Sequence, residues 1–374
     1  MKRSRRTPII ALGVCAAFFA AAAGLIASGQ RATTAVASAS ETIVWLVPNG
    51  DATQDGNLKA CISTPHGTNT IDLGQWQRAQ AVSYADGITL SAWSTTQGAS
   101  VAHLAPVSVS SRSVPAGPLV LRSAFYDQES KNIYYQEAES VVDIAVGVSA
   151  QTLSATHPLP TFAPDAIAGV PPIGFKGPTP DASVGTVEAF VSVQRHPLAL
   201  VATGAAAGIV DLTDMKATPI AGFSSLYGAA TGSDGNLYVA AWRSFEPSFT
   251  IRVLRIDPSN LQVVAETDTG LTPGTTDNIT IMPWSNGAVV MIAQGNADSL
   301  RQYVWTVDAN GMKPASELPA GTGLYMAPGD QDSVLLFGGP AVNRVSRFDI
   351  ASGALTDVPE LHAPAGSYVV AVQQ

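Results

Sequence analysis

The chain is 374 residues long, only 13% of it is charged, and its formal net charge at pH 7 is −9. Five of the 20 basic residues and none of the 29 acidic ones precede Glu41, so the body from Glu41 onward carries about 14 net negative charges. Such a surface repels phosphate backbones and anionic lipid, which argues against nucleic acid as a partner, and 33 Gly with 25 Pro argue against long helices.

At the amino terminus Lys2-Arg3-Ser4-Arg5-Arg6 precedes an uncharged run from Pro8 to Ser28, rich in Ala, Phe, Leu and Ile. This pattern predicts one hydrophobic helix, about 30 Å long at about 1.5 Å per residue, acting as an export signal or a membrane anchor. Cleavage after Ala39 or after Gly29 would release the body; retention would tether it through residues 32–40. Either way the basic end stays in the cytoplasm and the body is extracytoplasmic, with no other membrane contact. Leu12-Gly13-Val14-Cys15 is only loosely like a lipoprotein acylation box, because Val14 is too large. Cys61 is then the only thiol of the exported body, so no internal disulfide forms there, and it reads as a buried, inert thiol.

Beyond residue 40 a single sheet-forming unit repeats. Its best copy is Gly232-Ser233-Asp234-Gly235-Asn236-Leu237-Tyr238-Val239-Ala240-Ala241-Trp242, a turn signal followed by an apolar strand. In chain order the corresponding strands are Ile88 to Trp93 behind Asp86-Gly87, Ile133 to Tyr135 behind Lys131-Asn132, and Leu198 to Val201 behind His196-Pro197. After the best copy come Ala288 to Ile292 behind Asn286-Gly287 and Ser333 to Phe337 behind Asp332. Each has a strand before it and another after it, the latter often ending on an Asp, as at Asp211, Asp257, Asp308 and Asp349. Four short strands recurring roughly every 40 to 50 residues predict propeller blades. Ser367 to Val372 reads as an innermost strand with nothing after it, while Thr42 to Val47, Leu58 to Ile62 and Asn69 to Leu73 read as three strands with nothing before them. The expected architecture is therefore all-β: a seven-bladed β-propeller over 41–374, closed by pairing of the C-terminal strand with the N-terminal strands, after 1–40 as export signal or anchor.

A Pro-rich inter-blade insert, 154–186, interrupts the pattern with Pro158, Pro160, Pro164, Pro171, Pro172, Pro178 and Pro180, which disfavour strand pairing. So long a loop is either a functional feature or a tolerated insertion. In a blade, the turn after the innermost strand and the loop after the second strand lie on opposite faces. The termini share the turn face, so ligand-binding candidates come from the other one: Phe175 and Lys176 in the insert, Arg243, Phe245 and Glu246 in one loop, and Asp298 and Arg301 in another.

Chemical motifs are sparse. The sequence has no nucleophile elbow, paired zinc histidines, phosphate-cradling glycine loop or EF-hand spacing, and no cofactor or metal site is expected. Asp51 to Asn57 lacks the ligand alternation of a calcium loop and reads as a turn, and His66, His103, His157, His196 and His362 read as loop residues.

Gly232 to Val239 resembles the repeat of NHL-type and virginiamycin B lyase-like propellers, and Asn343-Arg344-Val345-Ser346-Arg347-Phe348-Asp349 is similar to the next strand of such a blade. The resemblance implies the fold. The lyases of that group are metal-dependent and use a Glu and a His just after the second strand, where this sequence has Ala241-Trp242, Ala293-Gln294 and Gly338-Gly339. Glu137 is followed two residues on by Glu139 rather than His. The expected function is an exported, non-catalytic binding or scaffold protein of the cell envelope, recognising an unknown envelope protein or glycan. The alternative is a lyase or hydrolase acting on a small or sugar substrate in the central channel, with Glu137, Glu139 or Glu246 as acid or base.

Overall fold

The computed structural model describes residues 42–49, 56–64, 67–76, 78–84, 87–94, 98–104, 109–114, 124–127, 130, 132–137, 139–145, 154–162, 183–194, 196–203, 206–243, 250–273, 278–295, 301–319, 322–323, 325–329, 333–337, 345–358 and 368–373. The expected amino-terminal helix, most of the insert, and Phe175, Lys176, Phe245, Glu246 and Asp298 lie outside the described residues. Among the described residues no helix is long and apolar enough to cross a membrane.

Antiparallel four-stranded sheets account for nearly all of it. The first contains β1 (Thr42–Asn49), β2 (Gly56–Thr64) and β3 (Gly67–Trp76). β4 (Arg78–Tyr84), β5 (Gly87–Ser94), β6 (Gly98–Leu104) and β7 (Val109–Val114) form the second. β8 (Ala124–Asp127), β9 (Asn132–Glu137), β10 (Ser140–Ala145) and β11 (Ser154–Pro158) form the third, followed by a small ladder of β12 (Thr161–Phe162) with β13 (Ser183–Val184). The fourth has β14 (Thr186–Val193), β15 (His196–Ala202), β16 (Ala207–Asp211) and β17 (Lys216–Pro219). The fifth has β18 (Ser225–Thr231), β19 (Leu237–Trp242), β20 (Arg252–Asp257) and β21 (Gln262–Asp268). β22 (Asn278–Trp284), β23 (Gly287–Gln294), β24 (Arg301–Asp308) and β25 (Gly311–Leu318) make the sixth. β26 (Tyr325–Pro328), β27 (Ser333–Phe337), β28 (Ser346–Asp349) and β29 (Leu355–Asp357) make the seventh. The last strand, β30 (Tyr368–Gln373), returns to the first sheet, in the order β3-β2-β1-β30, with Val369 opposite Trp45 and Tyr368 opposite Leu46.

The first strands of successive sheets are neighbours: β14 lies beside β18, β18 beside β22, β22 beside β26, β26 beside β30, and β30 beside β4. The second strand of a sheet is therefore covered on both faces. On β19, Leu237, Val239 and Ala241 pack toward the fourth sheet, while Tyr238 and Ala240 pack toward the sixth. β23 is divided the same way, with Ala288, Val290 and Ile292 on one side and Val289 and Met291 on the other. Burial on two faces removes the need for a polar alternate position, which is why these strands read as continuous apolar runs. Truncating one of these core residues, such as Leu237→Ala, costs about 2 to 5 kcal/mol in comparable interiors. The outermost strands alternate less and face solvent; on β21, Val263 and Val264 are exposed.

Three local expectations change. The Pro-rich stretch begins inside a sheet, because Ser154–Pro158 is the outer edge strand β11, pairing Ser154 with Ile144 and Pro158 with Ser140. An edge strand accommodates proline, since one of its sides needs no N–H donor. Its next residues also pair, Thr161 with Val184 and Phe162 with Ser183. Second, Asn286-Gly287 is not the turn itself: Ser285-Asn286 turns, with Ser285 at φ 45°, and Gly287 already pairs with Trp284. Gly287 is required there by crowding, because a Cβ would strike the backbone of Val307 and Asp308. Third, His103, His157 and His196 lie on strands rather than in loops, the last two as described below.

Candidate functional site

The loop Gly232–Asn236 spans five residues rather than the two of a tight hairpin, between the ends of β18 and β19. It is longer because Ser233 reaches into the neighbouring sheet. The Ser233 N–H donates to the Gly287 carbonyl at 2.9 Å, and its hydroxyl accepts from the Gly287 N–H at 3.1 Å and donates to the Ser285 carbonyl. Asp234 holds the loop from inside: Oδ1 accepts from the Asn236 N–H at 3.1 Å, and Oδ2 accepts from Asn236 Nδ2 at 2.7 Å and from the Tyr238 hydroxyl at 2.8 Å. Gly235, at φ 81°, supplies the left-handed residue of the turn. Burial, and then the hydrogen bond to the Asp234 carboxylate, push the Tyr238 phenol well above its usual pKa. The best copy of the repeat is thus a clasp between adjacent sheets.

Two further clasps join neighbouring sheets. Gln136 on β9 donates from Nε2 to the Gly185 carbonyl at 3.2 Å and accepts the Val187 N–H on Oε1 at 2.8 Å. Thr231 on β18 donates its hydroxyl to the Ser192 carbonyl of β14 at 2.6 Å.

The carboxylates that recur at the ends of third strands cap turns. The Oδ1 of Asp211, Asp257, Asp308 and Asp349 accepts the N–H of Thr213, Ser259, Asn310 and Ser352 at 2.8, 2.9, 2.7 and 2.7 Å, respectively. Hydrogen bonds from the Ser259 N–H and hydroxyl hold the Asp257 carboxyl below its ordinary pKa, and the Ser352 hydroxyl and N–H do the same for Asp349. His196 Nδ1 lies 3.3 Å from Asp211, and His157 Nε2 lies 3.4 Å from Asp143. Both are diagonal cross-strand pairs on one sheet face, which is why these histidines sit on strands. Among the described residues no three His, Cys, Asp or Glu side chains are grouped to hold a metal ion. Of the proposed acid–base residues, Glu137 ends β9, and Glu139 lies exposed in the following turn with its carbonyl accepting the Leu159 N–H.

Two of the predicted binding residues are described. Arg243 directly follows β19, where its guanidinium lies 4.4 Å above the Phe223 ring and 2.5 Å from Glu266. Glu266 also meets Arg252 at 3.4 Å, and Arg252 meets Asp268 at 3.5 Å, so the root of this loop is a linked set of charges on an aromatic base. Arg301 opens β24, exposed, opposite Gln294. Both arginines stand where a second strand gives way to a third, in adjacent sheets.

A cavity of about 410 Å³ lies at the other end of the sixth sheet. The turn Trp284 to Gly287 forms one wall, Thr306, Asp308 and Lys313 of the β24–β25 hairpin a second, and Ile350 of the seventh sheet a third. None of these was singled out as a ligand contact in the sequence. Trp284 carries the packing role expected of a strand-ending Trp; Ser285 and Asn286 are turn residues, Thr306, Asp308 and Lys313 are strand residues of the same sheet, and only Ile350 comes from its neighbour.

No protein-family profile matches the sequence, and no curated protein sequence matches it. Solved structures do. A Bacteroides fragilis protein provisionally named a 6-phosphogluconolactonase superposes with a TM-score of 0.56 and 13% identity, over 91% of this chain and 99% of that one. A Lactobacillus plantarum protein gives 0.55 and 13%, over 89% and 99%, and apo AztD from Citrobacter koseri gives 0.51 and 9%, over 89% and 98%. The fold is a β-propeller. At these identities the likeness carries the fold and nothing of ligand or chemistry. In a propeller, loops after the second strands and turns after the first lie on opposite faces, so Arg243 and Arg301 belong to one face and the 410 Å³ cavity to the other.

Proposed function

We propose that the chain is a closed ring of seven blades of the NHL and virginiamycin B lyase-like kind, in which β30 completes the sheet begun by β1. It acts as an exported binding or scaffold protein of the cell envelope. Recognition of an envelope protein or glycan falls to the face opposite the termini, where Arg243 and Arg301 stand, with Phe175, Lys176, Phe245, Glu246 and Asp298 as further contacts. The observation that carries this reading is the use made of the repeated carboxylates: Asp211, Asp257, Asp308 and Asp349 each serve the turn that follows them. A blade that recurs for structural reasons leaves recognition to its variable loops. The arrangement of Arg243 on Phe223 and Glu266 gives one such loop a fixed root, and the basic and apolar start of the chain supports export.

The test compares wild type with an Arg243→Ala, Arg301→Ala double variant in quantitative capture from solubilised envelope. The reading expects a defined partner whose yield falls severalfold in the double variant, and falls also in an Arg301→Ala single variant, whose exposed side chain leaves the melting temperature unchanged. Equal yields would remove this face from the account, and export would be refuted by finding the body inaccessible to protease in cells whose outer layers are permeabilised but whose cytoplasm is sealed.

A further inference from the structure

The geometry points to a second binding site, on the turn face, that takes a single acidic sugar unit: the cavity formed by Trp284, Asn286, Thr306, Asp308, Lys313 and Ile350. It rests on the fold and not on the recognition face proposed above. At about 410 Å³ it falls within the range of small-molecule sites, roughly 300 to 1,000 Å³.

The lining is divided in a way that selects a ligand class. Trp284 and Ile350 are partly buried and pack against the apolar cluster between the sixth and seventh sheets, and together they form the apolar wall. Facing this apolar side are short uncharged groups, Ser285, Asn286 and Thr306, together with one carboxylate and one ammonium. Asp308 uses Oδ1 to hold the Asn310 N–H, which fixes its carboxylate and leaves Oδ2 to accept from a ligand. Lys313 is exposed and forms no ion pair among the described residues.

A pyranose has an apolar C–H face and a rim of hydroxyls that both donate and accept, which matches an indole and aliphatic wall opposite Asn, Thr and Asp side chains. Lys313 adds a preference for a carboxylate on the ring, and it is needed because the acidic body otherwise repels anions. Other ligand classes fit less well. One carboxylate is too few for a divalent cation, and one ammonium without a cradle of backbone N–H groups is too little for a nucleotide.

The test uses the full chain titrated with D-glucuronate, D-glucose and acetate, read by saturation-transfer NMR. Glucuronate is expected to bind in the millimolar range, glucose about threefold more weakly, and acetate not measurably. Lys313→Gln, on an exposed side chain, should bring glucuronate down to the level of glucose, while Trp284→Leu should weaken both sugars. If Trp284→Leu does not fold, the Lys313→Gln comparison still decides. Acetate binding as well as glucuronate, an unchanged glucuronate-to-glucose ratio in Lys313→Gln, or no sugar signal would each overturn the proposal.

Discussion

Tyr238→Phe removes one oxygen and leaves the ring in place, so its cost isolates the hydrogen bond inside the Gly232–Asn236 clasp. Tyr238 has no exposed surface, and its hydroxyl donates to Asp234 Oδ2 at 2.8 Å. A buried hydrogen bond to a charged acceptor contributes about 1.5 to 3 kcal/mol. With an unfolding entropy of about 2.1 cal/mol/K per residue, a body of about 330 residues has roughly 0.7 kcal/mol/K, so the variant should melt about 2 to 4 °C lower at pH 7. A pH signature accompanies this. The folded phenol titrates above its unfolded value of about 10, so its contribution is fully present below about pH 10 and is lost as pH rises through the folded pKa. Tyr134 and Tyr325 are shifted upward by burial in the same direction. Wild type should therefore lose stability above about pH 10, and Tyr238→Phe should lose it less steeply because one of the three phenols is gone. Thermal melts followed by circular dichroism at pH 7 and across the alkaline range measure both effects. A melting temperature within about 0.5 °C of wild type at pH 7, or an alkaline limb parallel to it, would refute the assignment.

Gln136→Ala should leave the Gly185 carbonyl and the Val187 N–H without the side chain that now serves both, at a cost of about 2 kcal/mol. Urea unfolding should show a lower midpoint with unchanged slope, and Gln136→Glu, which keeps the acceptor but not the donor, should fall between the two; equal midpoints for all three proteins would dismiss this clasp. At the acid end, Asp257 and Asp349 have folded pKa values below their unfolded ones, so their contribution is present above the unfolded value of about 4 and is lost as pH falls through the folded pKa. An Asp257→Asn, Asp349→Asn double variant should give a flatter profile of melting temperature below about pH 4 than wild type. Superimposable acid limbs would show that these caps do not stabilise the fold.

The strands were legible because burial on two faces leaves a simple mark. Leu237 to Ala241 and Ala288 to Ala293 are apolar without interruption, and each is a second strand covered from both sides. The repeated third-strand Asp residues were equally visible, although their use as turn caps follows only from the Oδ1 distances to residues two or three positions on. Turn lengths were less legible. Asp234-Gly235 and Asn286-Gly287 look like the same two-residue signal, yet one lies in a five-residue loop and the other straddles a turn and a strand. The difference lies in what stands opposite each loop: Ser233 has the backbone of a second sheet within reach, and Gly287 has Val307 and Asp308 against its Cα.

The sequence alone determined the repeating sheet unit, the apolar second strands, the acidic body and the scarcity of recognisable catalytic motifs, because each is written in local composition and spacing. The clasps of Ser233, Gln136 and Thr231, and the convergence of Trp284, Lys313 and Ile350 on one cavity were decided by tertiary structure. Each of these depends on which sheet lies beside which, and that is set by how twisted sheets stack in space rather than by any run of neighbouring residues.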